Sequence, residues 1–229
     1  MKNMTDSNSS RMRAGIEIIA CYFIVLLLSV SNNWVGQLLK IDGLWTGVVF
    51  YLLVASIILF YVIKIEKRPL SSIGLKGITF KEIVFGILIG ILMFIVQQIP
   101  LILMGMDYKM FASPPDWIHI GIMSLYCIFC VGFTEELMVR GFILHKSLEI
   151  TNNKIIVILF NCIIFYMIHW PPVRFVFGEA FNITLNTIIL CTYLFLSKRK
   201  SITPLIIAHG VYDIISAYLL PAFVYVMIT

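Results

Sequence analysis

The chain has 229 residues, 60% hydrophobic and 13% charged, with a mean hydropathy of +0.98 and a formal net charge of +5. This composition excludes a soluble globular domain and reads as an all-α, polytopic transmembrane helical bundle. The basic residues are dispersed among loops, which reports topology, excludes nucleic acid as a partner and makes the lipid bilayer the immediate one.

Polar residues 1–13 read as a disordered cytoplasmic N-terminus, and residues 14–76 as a transmembrane hairpin with a basic loop. Residues 77–229 read as the larger membrane core. Arg11 and Arg13 precede an apolar run without a small-residue cleavage site, the pattern of a retained anchor. A spanning helix needs about 20 apolar residues. The first span runs over residues 14–30, the second over 44–63 and the third over 81–104. A loop holding Pro114 and Pro115 follows. The apolar pattern resumes at Trp117 and continues to Glu149 with charges embedded in it. Thr151, Asn152 and Asn153 form a turn, and the next helix, 155–170, stops at Pro171 and Pro172. A span over 177–196 ends at the basic turn Lys198-Arg199-Lys200. Thr203 is the expected N-cap of the last helix, with Pro204 at its first position. The count is about seven membrane segments by span length. Basic groups cluster at Arg11/Arg13, Lys64/Lys67/Arg68/Lys76, Lys146/Lys154 and Lys198/Arg199/Lys200, and are sparse at Lys40, Lys109 and Arg174. The positive-inside rule then places the N-terminus in the cytoplasm.

Within the segment from Trp117 to Glu149 lie Glu135, Glu136 and Arg140. A charge at the bilayer centre costs about 2.5–3.5 kcal/mol on insertion scales, so a cluster of three is by default a functional site. On a regular helix Glu136 and Arg140 are four apart and share a face. Glu135 points about 100° away from Glu136. One carboxylate can thus be engaged by the arginine while the other does chemistry. The competing structural reading is an ion-pair knot between helices.

Two further polar groups, His169 and His209, match Glu135 in depth. With Asn152 as the apex of a helical hairpin, Glu135 and His169 are equidistant from it, each about 25 Å away at 1.5 Å per residue. His209 lies about 13 Å in from Lys200 by the same measure. Asp213 is one turn beyond His209, and Phe165 one turn before His169, each pair on one face. His169 could instead be an interfacial residue beside Trp170, and His209 with Asp213 an interhelical polar lock. Lys146 and Lys154 are expected to reach water by snorkelling, and Glu17 to be solvated at the end of the first span. His119 and His145 read as interfacial. Asn182 and Asn186 share a face, for packing or pocket lining. Trp34, Trp45, Trp117 and Trp170 suit an aromatic belt, and Lys64, Lys67, Arg68 and Lys76 a membrane-surface anchor. The cysteines, Cys21, Cys127, Cys130, Cys162 and Cys191, all sit in apolar runs and read as small apolar fillers, not a disulfide framework.

Glu135-Glu136-x-x-x-Arg140, Phe165-x-x-x-His169 and His209-x-x-x-Asp213, in this order inside apolar segments, resemble the motifs of the CPBP/Abi family, the CAAX-protease and bacteriocin-processing enzymes. The resemblance covers residues 77–220 and makes 77–229 the catalytic core. It implies a multi-pass protein of the cell membrane that cleaves a membrane-associated peptide or protein near the cytoplasmic face. Glu135 would be the general base, working with His169 on a water. His209 and residue 213 would stabilise the oxyanion, and Glu136, Arg140 and Phe165 would support the site. The chain departs from the family at Asp213, where the family has asparagine. An ionised aspartate cannot donate a hydrogen bond, so Asp213 is either protonated, an orienting group for His209, or a metal ligand. A metalloprotease reading accordingly keeps zinc as a candidate cofactor, with His169, His209 and Glu135 as ligands and water in the open position. Two other classes remain beside it: an Abi-type immunity or regulatory protein without proteolysis, and a proton-coupled transporter, which the lack of internal repeats disfavours.

Overall fold

The computed structural model describes residues 4–105, 108–169 and 177–229. The expected stop at Pro171-Pro172, Trp170 and Arg174 lie outside them. The architecture is all-α, and no strand occurs among the described residues. Five helical segments are long and apolar enough to cross a membrane: Asn8–Leu39, Gly43–Ile65, Phe80–Leu101, Trp117–Ile150 and Thr203–Ile228. Two shorter apolar helices, Lys154–His169 and Ala180–Leu196, make up the expected seven. Sixteen residues of Lys154–His169 rise about 24 Å, short of a hydrocarbon core of about 30 Å.

The chain forms two compact units. The first takes in Met1–Leu75 and Leu137–Lys200. Its helix α1, Met4–Leu39, starts well inside the stretch expected to be disordered. One reason is local: Arg13 Nε donates to Glu17 Oε1 at 2.8 Å, an i,i+4 pair. After a turn, α2, Gly43–Phe60, is capped by Asp42, whose carboxylate accepts from Leu44 N–H at 2.7 Å. A π-helical turn, Tyr61–Ile65, continues it. Farther along the chain this unit holds α6, Leu144–Ile150, α7, Lys154–His169, and α8, Phe177–Leu196. Asn153 caps α7, accepting from Ile155 N–H at 3.0 Å. The Lys200 ammonium closes α8 by donating to the Leu194 carbonyl at 3.1 Å and the Phe195 carbonyl at 2.5 Å.

The second unit takes in Lys76–Glu136 and Ser201–Thr229. Helix α3, Phe80–Leu103, opens on a reciprocal capping box. Thr79 N–H donates to Glu82 at 3.0 Å, and Glu82 N–H donates to the Thr79 hydroxyl at 3.4 Å. Asp116 caps α4, Trp117–Tyr126, accepting from the Ile118 and His119 N–H groups at 3.1 Å. A short α5, Phe133–Glu136, follows. Helix α9, Thr203–Ile214, leads through a π turn, Ile215–Leu219, into α10, Leu220–Ile228. Thr203 is not the cap: Ile202 is, without a side-chain bond, and the Ser201 hydroxyl accepts from Thr203 N–H at 3.3 Å.

Missing side chains set the depth at which α9 packs. A Cβ on Gly90 of α3 would lie 2.6 Å from the Ala208 carbonyl oxygen, and one on Gly210 of α9 would lie 2.6 Å from Ile128 Cγ1. Small residues that let backbones approach are the usual device of membrane helix pairs, where hydrophobicity supplies no driving force. Ala208, His209 and Gly210 are all buried as a result.

Candidate active site

The carboxylates stand on an irregular stretch of helix. The one α-helical turn Phe133–Glu136 is bracketed by π-helical stretches, Cys127–Gly132 and Leu137–Ile143. Widened turns of this kind are frequent at functional sites. Arg140 lies in the second of these stretches.

Within the second unit Glu136 faces His209 of α9. Its Oε1 is 2.8 Å from His209 Nδ1, and Glu136 is fully buried. A carboxylate only accepts, so Nδ1 carries the proton in this pair. The other ring nitrogen, Nε2, then points at two more carboxylates. Glu135 Oε2 lies 3.7 Å from it and Asp213 Oδ2 lies 3.6 Å from it. Both separations exceed a direct N–H···O bond, about 2.7–3.2 Å, and lie within ion-pair reach of the imidazole. Glu135 and Asp213 are also less enclosed, with side-chain exposures of 12% and 25% against 0% for Glu136. The site thus has a closed side, where Glu136 fixes the imidazole, and a more open side, where Nε2, Glu135 and Asp213 meet.

Within the first unit Arg140, Phe165 and His169 form a second polar group. Arg140 is fully buried, donates to the Thr187 hydroxyl at 3.0 Å and lies over the Phe165 ring at 4.7 Å. The Thr187 hydroxyl in turn donates to the Ile183 carbonyl at 2.9 Å. His169 Nδ1 is 2.8 Å from the Phe165 carbonyl oxygen, and its ring meets that of Phe165 edge-on with centroids 4.6 Å apart. Nδ1–H is the donor there, so in the neutral ring Nε2 is the acceptor nitrogen of His169. The structure therefore joins Glu135, Glu136, His209 and Asp213 in one unit, and Arg140, Phe165 and His169 in the other.

Three residues were missed or misread in the sequence. Thr187, the partner of Arg140, carried no signal beyond a hydroxyl in an apolar helix. Lys146 does not snorkel to water but is 3% exposed, held by Glu17 at 2.6 Å, Glu149 at 3.4 Å and Glu66. Glu17 is correspondingly not solvated: Lys146, Arg13 and the Tyr61 hydroxyl, at 2.6 Å, surround it. A carboxylate buried beside a bilayer needs such partners, and a count of i,i+4 spacings finds only Arg13.

The candidate zinc ligands are divided between the units, His209 and Glu135 in the second and His169 in the first. Among the described residues no group of three or more His, Cys, Asp or Glu side chains is arranged to hold a metal ion. No step is therefore routed through zinc.

Helices of this length and a buried acid–imidazole cluster define a multi-pass membrane protein with a polar centre. Residues 117–215 match a family model described as type II CAAX prenyl endopeptidase Rce1-like, the family read from the three motifs. The match spans somewhat under half of the chain and contains every residue of those motifs. It supports an intramembrane endopeptidase of the CAAX-protease kind acting on a membrane-associated substrate. No curated protein and no solved structure matches the chain.

Proposed function

We propose that the chain is an endopeptidase of the cell membrane that hydrolyses a peptide bond in a membrane-associated peptide or protein near the cytoplasmic face. The observation that carries this reading is the surround of His209: one nitrogen is tied to a buried carboxylate and the other opens toward Glu135 and Asp213.

Glu135 is the general base. It takes a proton from a water, whose oxygen attacks the scissile carbonyl, and it returns that proton to the leaving amine as the tetrahedral intermediate collapses. His209, protonated on both nitrogens, donates Nδ1–H to Glu136 and offers Nε2–H to the oxyanion. One such donor is worth about 2.7–4 kcal/mol in acyl transfer. Asp213 accepts only, so its place is beside the imidazole, as a positioning residue that favours the doubly protonated ring, and not on the oxyanion. Glu136 is the second positioning residue. His169 takes part in activating the water by virtue of its motif, with Nε2 as its working nitrogen.

The test is comparative peptidomics of membranes carrying wild type, Glu135→Ala or His119→Ala. His119 belongs to none of the three motifs and lies against Tyr218 at 6.1 Å between ring centroids. Cleavage products that disappear with Glu135→Ala and persist with His119→Ala are expected. Products unchanged by Glu135→Ala would overturn the reading and favour a non-proteolytic binding role.

A further inference from the structure

The first unit contains a cavity that proteolysis does not use. Between α1 and α2 runs an apolar groove of about 260 Å³, with Phe142 at its edge. Ile16, Ala20 and Ile24, spaced four apart, form one exposed wall, and Val54 and Ile58 form the buried floor. From Ile16 to Ile24 the groove is about 12 Å long at 1.5 Å per residue. One leaflet of a hydrocarbon core of about 30 Å is close to that depth.

The same helices carry a polar pocket of about 290 Å³ one turn farther on, lined by Ser10 and Arg13 of α1, by Glu66 and Arg68 after α2, and by Lys146 and Glu149. The contacts of Glu17 with Arg13, Tyr61 and Lys146 separate pocket from groove. Beside these lining residues in the chain Arg11, Lys64 and Lys67 are exposed, as is Arg13, and Arg68 is half-buried. The charges at the pocket pair with one another, Arg13 and Lys146 with Glu17, Lys146 with Glu66, and Arg68 with Glu149 at 3.1 Å, so the positive excess comes from Arg11, Lys64 and Lys67. The outer cations dominate the field that an approaching headgroup meets.

We propose that this groove and pocket are one binding site for an anionic phospholipid of the adjoining leaflet. One acyl chain lies along Ile16, Ala20 and Ile24, and the phosphate sits on the pocket side beside Lys64 and Lys67. Two features argue for that occupant. A groove between two membrane spans opens on hydrocarbon and is filled by it, and the basic cluster stands where that chain's headgroup must be.

The experiment is native mass spectrometry of the full chain released from vesicles of mixed phosphatidylglycerol and phosphatidylcholine. Wild type is expected to retain phosphatidylglycerol in preference. Ala20→Phe, which fills the groove from its exposed wall, is expected to lose the retained lipid. Ile24→Trp, at a second exposed position of that wall, gives an independent reading should Ala20→Phe fold poorly. Lys64→Gln with Lys67→Gln is expected to keep a lipid but lose the headgroup preference. Equal retention of both lipids by wild type, or undiminished retention by both groove variants, would overturn the proposal. So would glycerol phosphate binding as strongly as the whole lipid, because the groove would then contribute nothing.

Discussion

Replacing Glu136 by alanine tests the anchoring of His209. The wild-type contact is short, 2.8 Å between Glu136 Oε1 and His209 Nδ1, and neither residue is more than 9% exposed. A hydrogen bond to a charged group contributes about 1.5–3 kcal/mol, and losing one partner leaves the other buried without it. Relief of the desolvation of Glu136 opposes this loss, but removing one member of a buried pair is destabilising on balance. Water has no path to replace a carboxylate with 0% side-chain exposure. For a chain of this size the loss corresponds to a fall of about 3–12 °C in melting temperature. If the same energy holds the imidazole for the oxyanion, turnover falls about 10- to 150-fold. Glu136→Gln keeps an acceptor oxygen and should recover part of both. Thermal unfolding in detergent, with cleavage of a peptide identified by the peptidomic comparison, measures the two quantities. A Glu136→Ala protein that melts and cleaves like wild type would refute the anchoring of His209 by this carboxylate.

Gly210→Ala should lower stability by about 1–3 kcal/mol through overpacking, since its Cβ would meet Ile128 Cγ1 at 2.6 Å and Ile128 Cα at 2.9 Å; it should also cut turnover by shifting the neighbouring His209, read as a fall in kcat with KM little changed. Lys146→Met keeps volume but withdraws the ammonium from Glu17, Glu66 and Glu149, and should cost about 3 kcal/mol or more, the lower end for a broken buried pair, because Arg13 and Arg68 still serve Glu17 and Glu66; the readout is thermal unfolding. On the proposed mechanism, in which Glu135 activates the water, proteolysis by the purified protein should survive a strong chelator; loss of activity that added zinc restores would transfer that step to a metal centre.

Apolar runs sufficed to find the helices, because a backbone in lipid must satisfy its own hydrogen bonds, but not every end: the first span was expected to stop at residue 30, whereas α1 continues through Ser31, Asn32 and Asn33 to Leu39. The turn at Thr151–Asn153 was equally legible, since asparagine and threonine side chains cap there, as Asn153 does. The end of α9 was less so: a Thr-Pro pair signals a cap at Thr203, but Ser201 two residues earlier supplies the hydroxyl.

The chemical cast of the site was present in the sequence: two adjacent acids, two histidines and an aspartate within apolar segments, which lipid tolerates only for a purpose. Who meets whom was a tertiary matter. Helical spacing put Arg140 within reach of Glu136, but no local pattern pairs Glu136 with His209, 73 positions on. The close packing of α9 that makes this contact depends on glycines whose sequence neighbourhoods say nothing of what they touch. Lys146 and Glu17, 129 positions apart, find each other the same way. Local patterns encode which groups must be buried or spanned, because those costs are paid residue by residue; the pairing of buried charges is decided only when helices distant in sequence come within a few ångströms.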